Sequence, residues 1–190
     1  MGAKGLRQVR DIALYFLFYS FAGWCYECLF LCPIREHQIV NRGFLFGPWL
    51  PIYGVGALVL LLLLDRSRQR PVWVGGVNLR PALVFLAIVA LTTGVELAAT
   101  YLMERAGKDF SALWYYGDYA FNFQGRVALW PSVRFGVIGM LVLYLIQPLL
   151  ARFLRAPARQ KRIDLAFFLL AALFLLDLVA RFWLGSNFTA

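Results

Sequence analysis

The sequence predicts an all-α protein, a polytopic membrane helix bundle of five transmembrane helices whose second span is broken by proline and glycine. Three observations carry this. Of the 190 residues, 62% are hydrophobic and 15% charged, with mean hydropathy +0.69; a soluble domain is roughly half apolar and a quarter charged. The apolar residues gather into runs near the ~20 residues a helix needs to cross a bilayer. Twelve of the 19 Lys and Arg stand in segments between those runs that would share one side of the membrane. The chain is read as a single integral membrane domain over 1–190.

The first span, 12–32, follows a short basic lead-in with Lys4, Arg7 and Arg10. Its apolar region is too long for a signal peptide and no small-residue cleavage site follows it. Ser20, Gly23 and Glu27 share one helix face, and Cys25, Cys28 and Cys32 share another, nearly opposite Glu27. With three cysteines and one histidine, His37, in the chain, the thiols read as packed apolar fillers rather than metal or iron–sulfur ligands. No metal and no cofactor is expected.

The second span, 49–64, is the shortest. Between Asn41 and Gly54, Pro48, Pro51, Gly43, Gly47 and Gly54 rule out an uninterrupted helix. Irregular backbone at membrane depth is tolerated only where protein or a water-filled cavity covers it. The stretch is therefore either a loop ending in a kinked, closely packed helix or a backbone-lined wall of a ligand cavity. The linker 65–81, with Arg66, Arg68, Arg70 and Arg80, has its charges explained by topology.

The third span, 82–104, carries Glu96 well inside it, and Thr93, Glu96, Thr100 and Glu104 form one polar stripe. The loop from Arg105 to Val127 is the most aromatic part of the chain. Phe110, Trp114, Tyr115, Tyr116, Tyr119, Phe121 and Phe123 crowd around Asp109, Asp118 and Asn122, as an interfacial belt or as the lid of a ligand site. In the fourth span, 128–150, Pro131 suits a first helical turn, and Ser132, Gly136 and Gly139 allow close helix contact. The fifth, 163–184, follows Arg152, Arg155, Arg159, Lys161 and Arg162 and carries Asp177 and Arg181 as an i,i+4 pair. The positive-inside rule places the N-terminus inside and the C-terminus outside.

Counting ~1.5 Å of rise per residue brings Glu27, Glu96, Asp177 and Arg134 to similar heights, roughly 20 Å from the cytoplasmic side. An isolated charge in a span costs about 2.5–3.5 kcal/mol or more, whereas charges paired around one cavity largely offset one another. The candidate substrate-binding set is thus an outward-facing polar chamber walled by Glu27, Glu96, Arg134 and Asp177, with Arg126 and Asn122 above it. Asn41 and Tyr53 join it from the proline–glycine stretch, and Trp130 from the head of the fourth span. The competing reading is a buried ion-pair lattice that fixes helix register. Three carboxylates against Arg134 and Arg181 leave one acid to be protonated, to pair with Arg126, or to await a proton or cationic substrate.

Gly43 to Gly54 also reads against Gly125 to Gly136 at a constant offset, with Tyr53-Gly54-Val55 matching Phe135-Gly136-Val137. A tandem two-helix repeat, 12–64 and 82–150, explains the echo.

Taken in order, Gly23-Trp24 with Glu27, the Asn41–Gly56 stretch with Pro51-Ile52-Tyr53-Gly54, the Glu96–Glu104 helix, and Asn122 to Arg126 through Ser132 resemble the bacterial membrane family of ABC-transporter type IV, CmpB-like proteins. The resemblance covers about Leu14 to Pro148. Members show a Trp-Asp-Tyr-Ser segment in the second outer loop, where this chain has Trp114-Tyr115-Tyr116-Gly117-Asp118-Tyr119. The resemblance implies a transporter permease of the bacterial cytoplasmic (inner) membrane. No Gly-x-x-x-x-Gly-Lys-Ser/Thr loop is present, so ATP-driven activity calls for a separate ATPase subunit. The expected partners are the lipid bilayer, that subunit, and a small polar solute or ion. Nucleic acid is not one of them, because the net charge of +9 forms no basic face interleaved with polar readers. The competing functions are an enzyme acting on a lipid-linked substrate at the outer leaflet, with Glu27 or Glu96 as acid/base, and a purely structural or assembly protein. No residue is assigned as catalytic.

Overall fold

The computed structural model describes residues 3–37, 41, 43, 45–66, 69–112 and 114–183. Arg42, Phe44, Arg68 and Leu184, all within the segments read above, lie outside the described residues. The first helical run begins at Ala3, so the basic lead-in is already helical. It comprises α1 (Ala3–Trp24), a π-helical stretch (Cys25–Leu31) and α2 (Cys32–Glu36). Then follow α3 (Pro51–Leu64), α4 (Arg80–Arg105), α5 (Leu129–Leu141), a second π-helical stretch (Val142–Ile146), α6 (Gln147–Arg155) and α7 (Gln160–Trp183).

Four helical runs are long and apolar enough to cross a membrane: Gly5–Ile34, Arg80–Arg105, Leu129–Arg155 and Pro157–Trp183. Pro51–Leu64 is a shorter apolar helix. The protein is an all-α membrane bundle. The interruption expected in the second span takes the form of a late start. Residues 45–50 are not helical, and α3 opens at Pro51, which loses nothing in a first turn where its missing N–H would be unsatisfied.

Two short antiparallel hairpins punctuate the helices. The first, β1 (Trp73–Val74) with β2 (Val77–Asn78), falls in the linker read from sequence as loop. Gly75 and Gly76 turn it with φ of 57° and 81°, the positive pair a two-residue hairpin turn requires; Val-Gly-Gly-Val is its signature. The second, β3 (Asn122–Phe123) with β4 (Val127–Ala128), closes the aromatic loop.

The chain divides into two compact units, Met1–Leu58 with Leu150–Ala190, and Val59–Leu149. In the first, Leu14, Leu154 and Ile163 form one apolar cluster, and Leu17, Leu45 and Trp49 form another with Phe16, Phe174 and Leu178. Arg10, buried at 6% exposure, ties α1 to α7. Its guanidinium donates to Asp11 at 2.7 and 3.0 Å, to Asp164 at 2.6 Å and to Gln160 at 3.0 Å. In the second unit Leu60, Leu64, Val84, Ile88 and Leu143 make the core, and α4 packs on α5. That packing depends on small residues, because a Cβ at Gly136 would come within 2.6 Å of Val89 and 2.7 Å of Phe85. Leu62, Phe168, Leu176 and Phe182 face outward, as lipid-contacting side chains do.

Candidate functional site

The nine candidate residues divide between the units: Glu27, Asn41, Tyr53 and Asp177 in the first, Glu96, Asn122, Arg126, Trp130 and Arg134 in the second. Each unit brings one membrane-embedded carboxylate together with a tyrosine.

In the first unit Glu27 sits in the π-helical stretch, a wide turn that recurs at functional sites. The Tyr53 hydroxyl donates to Glu27 Oε1. Close helix approach makes this contact. A Cβ on Gly23 would collide with the Tyr53 ring, and one on Gly54 with Ser20 Oγ and Phe16. The shared face of Ser20, Gly23 and Glu27 is therefore the face turned to α3. Backbone before α3 is docked as well, with Leu50 N–H donating to Ser20 O at 3.0 Å. Asn41 Oδ1 accepts from Trp24 Nε1 at 2.9 Å and from Gly43 N–H at 3.0 Å, and its Nδ2 donates to Phe46 O at 3.2 Å. The Asp177 carboxylate takes the N–H groups of Phe46 (3.1 Å) and Gly47 (2.9 Å). Arg181, buried, lies over the Phe46 ring with its Cζ 5.3 Å from the centroid. Asp177 and Asn41 thus hold the proline–glycine stretch in shape, supplying the cover that irregular backbone needs.

In the second unit Glu96 is buried at 8% exposure on α4, and Tyr116, also buried, donates its hydroxyl to Glu96 Oε1 at 2.8 Å. Thr93, one turn away on the polar stripe, donates to Ser132 Oγ of α5 at 2.8 Å. Glu104, at the stripe's C-terminal end, pairs with Arg126 at 2.7 Å. The Arg126 guanidinium also donates to Gln124 at 3.1 Å and lies over the rings of Tyr101 and Phe110, 4.5 and 4.8 Å from their centroids. Asn122 is consumed within its loop. It accepts from Gly125 N–H at 3.0 Å and donates to Tyr119 O at 2.9 Å and Gly117 O at 3.2 Å. Trp130 is 60% exposed.

Three buried N–H donors in this unit, Arg126 Nη1, Trp114 Nε1 and Arg134 Nε, have no acceptor among the described residues. A guanidinium and an indole donate and never accept, so what they can hold is a carboxylate, phosphate or carbonyl oxygen. Tyr116 and Trp114 are not singled out by the sequence. They stand among neighbouring aromatics of the same composition, and only the folded loop distinguishes them. Cys28 and Cys32 are fully packed and all three cysteines are reduced. Among the described residues no group of three or more His, Cys, Asp or Glu is placed to hold a metal.

A family model described as Putative ABC-transporter type IV matches residues 14–182, extending the resemblance seen in sequence into α7. No curated protein and no solved structure matches the chain.

Proposed function

The chain belongs to this ABC-transporter type IV family and is a membrane transporter-like protein; on that premise we propose that it is the membrane-embedded part of a transport system in the bacterial cytoplasmic membrane, handling a small polar solute or ion from the outer side with a separate ATPase subunit supplying the energy. The observation that carries this reading is a carboxylate set inside an apolar span and held by a phenol hydroxyl, Glu96 with Tyr116. Such a group is costly in lipid and marks substrate or ion pathways. Glu27 and Glu96 bind the cationic part of the solute or the ion itself. Arg134 and Arg126, with Trp114, offer donors to an acceptor group. Asn41, Asn122 and Asp177 position backbone, and Tyr53 orients Glu27. Trp130, outward on α5, suits an interfacial anchor better than a solute contact.

The orientation proposed from the basic segments has support at the other end of the first unit. A cavity of about 710 Å³ there is lined by Arg7, Arg155, Lys161 and Arg162 together with the paired Arg10 and Asp11, a net basic lining suited to the anionic phosphates of the cytoplasmic leaflet. The test is a thermal-stabilisation screen of purified protein against alkali salts, amino acids and small organic ions. Compounds that raise the Tm of the wild type are expected to lose that effect in Glu96→Gln, with the variant still monodisperse. Undiminished stabilisation in that variant overturns the role given to Glu96.

A further inference from the structure

The echo between Gly43–Gly54 and Gly125–Gly136 has a counterpart in how each unit packs. In the first, a Cβ on Gly54 would run into Ser20 and Phe16 of α1. In the second, a Cβ on Gly136, 82 positions later, would run into Val89 and Phe85 of α4. Phe16 to Phe85 and Ser20 to Val89 are the same step of 69 positions, and Glu27 to Glu96 is that step again. One pair of offsets therefore relates the close helix contacts and the two glutamates, Glu27 half-buried and Glu96 buried. The loops agree with the second offset. Gly43 and Gly125 each give their N–H to a nearby upstream asparagine side chain, Asn41 and Asn122, at 3.0 Å in both cases. Leu45 and its counterpart Val127 are both buried. The longer aromatic loop absorbs the difference between the offsets.

The hydroxyl on the acid is the telling departure. The counterpart of Tyr53 is Phe135, which has no hydroxyl to give. Glu96 receives a phenol all the same, from Tyr116 in the loop. A contact inherited only as packing would have lapsed with the substitution, yet here the same hydrogen bond is rebuilt from another part of the chain.

We propose that residues 12–64 and 82–150 are two copies of one helix–loop–helix unit, and that Glu27 with Tyr53 and Glu96 with Tyr116 are two copies of one carboxylate–phenol site for a small monovalent cation, a proton or an alkali-metal ion. Carboxylate and phenol oxygens are hard ligands, and negative charge buried in an apolar span attracts a cation. The ligand rests on the transport reading above; the duplication does not.

The experiment is labelling of the full chain in liposomes with dicyclohexylcarbodiimide, a hydrophobic reagent for membrane-buried carboxyls, mapped by peptide mass spectrometry in sodium, potassium or choline chloride at one ionic strength. Two adducts are expected, at Glu27 and Glu96, and the same salt should slow both by the same factor. Equal rates in all three salts assign both sites to the proton. Glu27→Gln should lose the first adduct and leave the second at its wild-type rate, and Glu96→Gln should do the reverse. Tyr53→Phe and Tyr116→Phe, which keep both acids, should each change the rate of the adjoining glutamate alone. Labelling of only one glutamate, or protection of the two by different ions, overturns the proposal. Parallel labelling in a protein that transports nothing leaves the duplication standing and removes the transport reading.

Discussion

A carboxylate among apolar residues is conspicuous in sequence because the bilayer makes it expensive, and so Glu27, Glu96 and Asp177 are legible from the order of residues alone. Their partners are not. Tyr116 reaches Glu96 because the loop after it reverses through Phe121, Gln124 and Gly125, all with positive φ, and only Gly125 advertises that freedom in sequence. Asp177 reads as the partner of Arg181, but its carboxylate caps two backbone N–H groups instead, a contact between residues 130 and 131 positions apart that no local spacing reports. Removing the phenol hydroxyl of Tyr116 leaves Glu96 short of a hydrogen bond, at a cost of about 1–2 kcal/mol. Tyr116→Phe is therefore expected to lower the Tm in detergent by a few degrees without changing far-UV circular dichroism, and an unchanged Tm would contradict the contact. Outside the spans, the Ser111 hydroxyl and then its N–H hold the exposed Asp109 carboxyl below the ordinary aspartate range. A depressed folded-state pKa contributes stability above the ordinary pKa that is lost as pH falls through the lowered one. Ser111→Ala should raise the Asp109 midpoint toward the ordinary value in a carboxyl-carbon NMR titration.

Elements here are set by where small residues fall. The sequence marks Gly54, Gly136 and Gly139 as sites of close helix contact or broken helix, and in each case a Cβ would meet a neighbouring side chain. Gly56, in the same α3, has nothing within 4 Å of a Cβ. The two classes give opposite outcomes. Gly136→Leu must displace Phe85 and Val89 and should cost about 1–3 kcal/mol or more by overpacking, whereas Gly56→Ala should stabilise α3 by about 0.5–1 kcal/mol through helix propensity. Denaturation midpoints of the two variants check both signs at once. Sequence periodicity cannot make this distinction, since it places a glycine on a face without saying what stands opposite. It also misses the start of the first helix, because the charges in the lead-in suggest a tail. Folded, Arg10 is neutralised by Asp11 and Asp164, the latter 154 positions away, and the helix extends through it.

For the whole molecule the decisive element is α3. At ~1.5 Å per residue its 14 residues span about 21 Å, less than the ~30 Å of a hydrocarbon core. Two observations favour a crossing. Residues 45–50 precede it as irregular backbone that is covered, with Leu50 N–H on Ser20 O and the Phe46 and Gly47 amides on Asp177, so this segment can add depth without exposing those peptide groups to lipid. The alternative, in which α3 turns back, would put Arg66, Arg70 and Arg80 on the same side as His37 and across the membrane from Arg7 and Arg10, against the positive-inside bias. Single cysteines at His37 and Arg70, which flank α3, in a background with Cys25, Cys28 and Cys32 replaced by alanine, separate the two. With α3 crossing, a membrane-impermeant maleimide added to intact cells should label His37→Cys at once and Arg70→Cys only after permeabilisation. Labelling of both positions from outside would reduce the bundle to four spans and place the two ends of the chain on one side of the membrane.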